Sequence, residues 1–65
     1  MAEKNLTLKE AMILGVQHQQ KGNLKAAKKI YEDILKINPN YAGAHNNLGN
    51  ILKELEEYQK AISSF

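Results

Sequence analysis

Few side chains in this sequence could do chemistry, and their spacing decides what chemistry that would be. His18 and His45 are the candidate bases or metal ligands. A general base needs a nucleophile or a second titratable group within reach, and neither is patterned around them. Glu54, Glu56 and Glu57 could suggest paired carboxylates, but they read as a solvated helix end. Ser63 and Ser64 have no partner base, and no glycine loop of the phosphate-cradling kind occurs. The absence of cysteine removes disulfides and thiolate metal sites. We therefore expect no catalytic, cofactor-binding or metal site, and no enzyme activity. Lys21, Lys25, Lys28, Lys29 and Lys36 are interleaved with Glu32 and Asp33 and lack an aromatic platform, so they read as a solubilising outer face. All nine cations are lysine against seven acids, for a net charge of +2. Arginine, the residue suited to bidentate phosphate and guanine contacts, is missing, so no nucleic-acid partner is expected.

The asparagines Asn46, Asn47 and Asn50 are left, and their use depends on the elements that carry them. Leu8, Ala11, Leu14, Gly15 and His18 recur at helical spacing, behind the capping box Thr7-x-x-Glu10. Gly22 predicts a left-handed stop after Lys21, and Asn23 can cap the next helix. That helix spans about Leu24 to Ile37. Its apolar stripe is Leu24, Ala27, Tyr31, Ile34 and Leu35, widened by Ile30 and Ile37, and Pro39 ends it. Asn40 can cap a third helix from about Tyr41 to Leu55, with Ala42, Ala44, Leu48, Ile51, Leu52 and Leu55 apolar. Glu56 and Glu57 mark a break, after which a short fourth helix begins near Tyr58, with Ala61, Ile62 and Phe65 on one side. No segment alternates with a period of two. The fold class expected is all-α, built of antiparallel helical hairpins.

At 65 residues the chain holds one domain at most. A chain of this size buries only ~60% of its unfolded surface, and so small a core rarely supplies more than about 3–5 kcal/mol. Helix packing or self-association must hold it together. The longest apolar stretch, Ala11 to Val16, is too short to span a bilayer or to form a signal-peptide core. No membrane partner is expected, and the cytoplasm is the expected location.

The two hairpins repeat each other. Leu14-Gly15, Ala27 and Tyr31 recur 34 residues later as Leu48-Gly49, Ala61 and Phe65. Gly15 and Gly49 allow close helix approach, Ala27 and Ala61 allow it from the other side, and Tyr31 and Phe65 fill the space between. Pro39 sets the turn between units. This helix–turn–helix period resembles the tetratricopeptide family. The second unit, Tyr41-Ala42-Gly43-Ala44-His45-Asn46-Asn47-Leu48-Gly49, is the most similar. The resemblance implies an α-solenoid fragment with a leader at 1–7, a first repeat at 8–41 and a truncated second repeat at 42–65, the start of a longer array. The family's large aromatic on the first helix is Ala11 in one unit and His45 in the other, and its usual tyrosine is His18 and Leu52. Both histidines are therefore expected to pack or hydrogen-bond at helix contacts.

The same resemblance implies function. In stacked hairpins the first helix of each repeat lines a concave wall. Here that wall carries Met12, Ile13 and Val16 on one helix and Asn46, Asn47 and Asn50 on the other, which makes these six the expected partner-binding residues. An asparagine amide offers two donors and an acceptor, so such amides can pair with an extended peptide backbone. Asn47 falls where arrays of the protein O-linked N-acetylglucosaminyltransferase kind place peptide-holding asparagines. Met12 and Val16 stand where chaperone-clamping members place polar groups, which argues against that specificity. The function expected is a protein-interaction scaffold taking a protein or peptide. The alternatives are the substrate-recruiting end of a larger enzyme, such as a glycosyltransferase, and a small helical DNA-binding domain reading adenine through Asn46, Asn47 and Asn50. Copies are also expected to self-associate through open repeat ends, where Tyr58, Ile62 and Phe65 are left partly uncovered and Leu48 and Leu52 keep an open side.

Overall fold

The computed structural model describes residues 7–63, which form three helices: α1 (Leu8–Gln20), α2 (Leu24–Ile37) and α3 (Ala42–Ser63). Among the described residues the regular structure is entirely helical, as the apolar periodicity requires.

Local chemistry sets most boundaries. The Thr7 hydroxyl accepts from the Glu10 backbone N–H at 3.0 Å, and the Glu10 carboxylate accepts from the Thr7 N–H at 2.9 Å. Two of the orphan donors at the start of α1 are thereby satisfied. At the other end the Asn23 N–H donates to the His18 carbonyl at 2.8 Å, and the Gly22 N–H to the Gln19 carbonyl at 3.1 Å. This is a Schellman closure, and Gly22 takes the left-handed φ of +84° that it needs. Asn23 stands at the cap position of α2, but its side chain does not cap. Its amide is turned back onto His18 Nδ1, 3.4 Å away. Asn38 is extended at φ −134°, ψ 90°, the conformation that a following proline imposes. Asn40 does not stand next to α3 as a cap. Its N–H is taken by the Asn38 carboxamide oxygen at 3.2 Å, an Asx turn that delays the helix to Ala42.

The expected fourth helix does not exist as a separate element: α3 runs unbroken from Ala42 through Tyr58 to Ser63. The physical reason is at Glu56, which occupies the place of Gly22 one repeat on. A left-handed residue costs a non-glycine roughly 1–2 kcal/mol, and Glu, Leu and Lys are good helix formers. Nothing between Leu52 and Ile62 stops the helix, so it continues for about 33 Å at 1.5 Å per residue.

The helix α2 lies between the other two. Its Leu24, Ala27, Tyr31 and Ile34 are buried, and α3 adds Ala44 and Ile51. Leu8, Ala11, Met12, Ile30, Leu35, Tyr41, Leu48 and Leu55 pack around this cluster, each partly buried. Ile37 and Leu52, expected on the apolar stripes, are exposed. Lys28–Glu32 at 4.0 Å and Lys29–Asp33 at 3.3 Å pair along the wet face of α2; such exposed pairs contribute little.

Candidate protein-interaction surface

Tyr31 is the point from which the surface is built. It belongs to α2, it is fully buried, and its ring is seated under Gly15 of α1. A Cβ added at Gly15 would stand 2.7 Å from Tyr31 Cε1 and 2.9 Å from Cζ. Only glycine lets the ring pass there. The ring carries its hydroxyl to the seam between α1 and α3. The hydroxyl donates to Gln19 Oε1 at 3.2 Å and accepts from Asn47 Nδ2 at 3.2 Å. One phenol thus ties all three helices through a half-buried polar relay. Burial raises the Tyr31 pKa above its usual value; the Asn47 N–H, which favours the phenolate, opposes this only in part.

The far end of the same seam is closed by Met12 of α1 against Gly43 of α3, where an added Cβ would meet Met12 Cε at 3.1 Å. Between the two ends lies the wall formed by α1 and the first half of α3. Of the six residues expected to bind a partner, Ile13 is 52% exposed, Asn46 and Asn50 are exposed, and Met12, Val16 and Asn47 are half-buried. Met12 packs against the core. Asn47 commits one N–H to Tyr31. Its second N–H and its carbonyl oxygen have no partner among the described residues, which leaves a donor and an acceptor side by side on the wall.

The repeat-defining positions separate into two groups. Gly15, Ala27 and Tyr31 are buried together in the first hairpin. Leu14 is 38% exposed at its edge, and Pro39 is exposed in the turn. In the second unit Leu48 is half-buried, but Gly49 and Ala61 are both exposed, and no atom lies within 4 Å of a Cβ built on Gly49. Phe65 lies outside the described residues. The structure does not bring Ala61 to Gly49, because both ride on one straight helix.

The histidines have local roles. His18 is half-buried beside Asn23. His45 does not pack in the core; it is exposed, and its Nε2 lies 2.7 Å from the Pro39 carbonyl. A carbonyl only accepts, so Nε2 carries the proton and clips the turn to the first turn of α3. Ala44, the preceding residue, faces the core instead. Among the described residues no group of His, Asp and Glu is placed to hold a metal ion, and no helix is long and apolar enough to cross a membrane.

The relay was not visible in the sequence, since residues 12 and 16 apart with unlike side chains leave no local signature. The close Gly15–Tyr31 approach was, through the L-G and aromatic spacing.

Comparison with known proteins agrees with this architecture. Two models of the tetratricopeptide repeat match, one at residues 30–63 and one at residues 11–41. The chain belongs to the tetratricopeptide repeat family, whose repeats serve generally as protein-interaction modules. It is also similar to the uncharacterized protein ycf37 of Pyropia yezoensis, with 42% identity over 53 residues, or 82% of this chain. The chain spans 30% of the length of that relative. No solved structure matches.

Proposed function

We propose that this chain holds an extended peptide or protein segment along the wall between α1 and the first half of α3. The observation that carries this reading is the half-committed amide of Asn47. Its bond to the buried Tyr31 hydroxyl fixes its rotamer, and it keeps one donor and one acceptor for a ligand. A peptide backbone offers the complementary pair at each residue. A side chain held in place before binding loses less entropy on binding. Ile13 supplies an exposed apolar contact on the facing helix, Asn50 extends the amide surface by about one turn of α3, and Asn46 stands exposed directly before Asn47. The repeat units that build this wall divide, on this reading, at residues 41 and 42.

The test is selection of displayed random peptides on the 65-residue chain, followed by binding to variants. Peptides that bind at the wall should lose about tenfold or more in affinity with Asn50→Ala or Ile13→Glu, one lost hydrogen bond or apolar contact being worth roughly 1.4 kcal/mol. Peptides that bind both variants as tightly as the parent chain would contradict the assignment.

A further inference from the structure

The straight α3 creates a surface that a broken helix would not have. Leu48, Ile51, Leu55, Tyr58 and Ile62 follow one another at spacings of three, four, three and four. This is the seam of a heptad repeat. The hairpin of α1 and α2 covers its first half: Ile51 is buried and Leu48 half-buried. The second half is bare, with Tyr58 57% and Ile62 73% exposed and Leu55 at the boundary. Leu55, Tyr58 and Ile62 form one side of a groove whose other side is the ridge of α2 bearing Lys25, Lys28 and Lys29. Glu32 also reaches this groove, paired with Lys28.

The helix that fits such a groove must have an apolar seam to meet Leu55, Tyr58 and Ile62, and an acidic flank to meet three lysines. The same segment of α3 answers that description. On the heptad, Glu56 lies on one flank of the seam, and Glu54 and Glu57 lie on the other. Lys53 and Lys60 both fall on the outermost position, opposite the seam. Glu56 is paired with Lys60 at 3.7 Å, so the flank that must turn towards the lysine ridge is the acidic one bearing Glu54 and Glu57. The residues directly beside the bare seam, Gln59 and Ala61, are uncharged and carry no like-charge penalty into a symmetric pair.

We propose that residues 55–62 are a self-association surface, occupied by the same segment of a second copy. The two α3 ends lie side by side about a two-fold axis. Each seam covers the other, and the glutamates of each copy face Lys25, Lys28 and Lys29 of its partner. A two-fold contact of this kind is closed and reciprocal, so it yields a dimer and not a chain of copies.

Charge exchange tests this. One variant carries Lys25→Glu, Lys28→Glu and Lys29→Glu; the other carries Glu54→Lys, Glu56→Lys and Glu57→Lys. All six sites are exposed or half-exposed on helices, and circular dichroism verifies that the helices persist. Light scattering of the parent 65-residue chain should rise with concentration to twice 7.3 kDa. Each variant alone should associate at least about tenfold more weakly at low salt, because every groove then faces like charge. Mixed in equal amounts, they should recover the parent's affinity and form a dimer of one copy of each, seen by native mass spectrometry. Should a triple variant lose its helices, Ile62→Lys on the bare seam must still abolish the dimer with helicity intact. A parent chain that stays monomeric at every concentration would overturn the proposal. So would variants that dimerise as well as the parent, or a mixture that stays monomeric.

Discussion

Leu14-Gly15 and Leu48-Gly49 are the same dipeptide one repeat apart, and they have opposite fates. Gly15 is buried, and the Tyr31 ring is pressed into the space a Cβ would fill. Gly49 is exposed, with nothing within 4 Å of that position. The difference does not lie in the glycines. It lies seven residues further on, where Gly22 turns the chain back and Glu56 does not. A repeat motif thus specifies a seat for the neighbouring helix, while a separate turn residue decides whether the same chain fills it.

Each half of this contrast can be broken on its own. The largest effect should follow removal of what fills the first seat. Tyr31→Ala leaves a cavity in a small core and strands Gln19 and Asn47, at a cost of about 3–5 kcal/mol. Urea denaturation should then find the chain largely unfolded in water. Filling the seat comes next. Gly15→Ala drives a methyl into a buried ring that has no free end to move, and should destabilise by roughly 1–3 kcal/mol even after the gain in helix propensity. Gly49→Ala should have the opposite sign. Its site is open and its helix continuous, so it should gain about 0.5–1 kcal/mol. If the two alanines shift the denaturation midpoint in the same direction, the contrast fails.

The smallest effect is the pH dependence of the filled seat. Burial raises the Tyr31 pKa in the folded chain. The folded state therefore holds the phenolic proton more tightly than the unfolded state, whose tyrosine titrates near 10. Stability is fully present below that pH and is lost as pH rises through the folded pKa. A thermal-melt series should show an alkaline decline above roughly pH 10, and Tyr31→Phe should flatten it.

The first hairpin was legible because its signals are local and agree. Thr7 with Glu10, Gly22 and Pro39 each act within a few residues, and the stripe from Leu24 to Ile34 has a helical period. The end of α3 was misread because two signals conflict there. The 34-residue period puts a turn at Glu56 and Glu57, whereas their helix preference carries the chain straight on. Propensity prevails at that point because no buried contact rewards the turn. The side chains of the proposed wall could be named from the sequence, but not their arrangement. The packing of Met12 leaves no sequence signal, because its partner, Gly43, has no side chain to announce a contact. Asn47 looked like its neighbours Asn46 and Asn50 because only three-dimensional packing brings Tyr31 beneath it.

The central claim is that α3 continues through Glu56 and Glu57 and leaves Gly49 uncovered. Backbone chemical shifts and amide NOEs across residues 50–63 of the 65-residue chain test it most directly. The account predicts uninterrupted helical shifts and sequential amide contacts through Glu56 and Glu57, with no contact between Gly49 and Ala61. Turn-like shifts at those glutamates, together with a Gly49–Ala61 NOE within one chain, would contradict it.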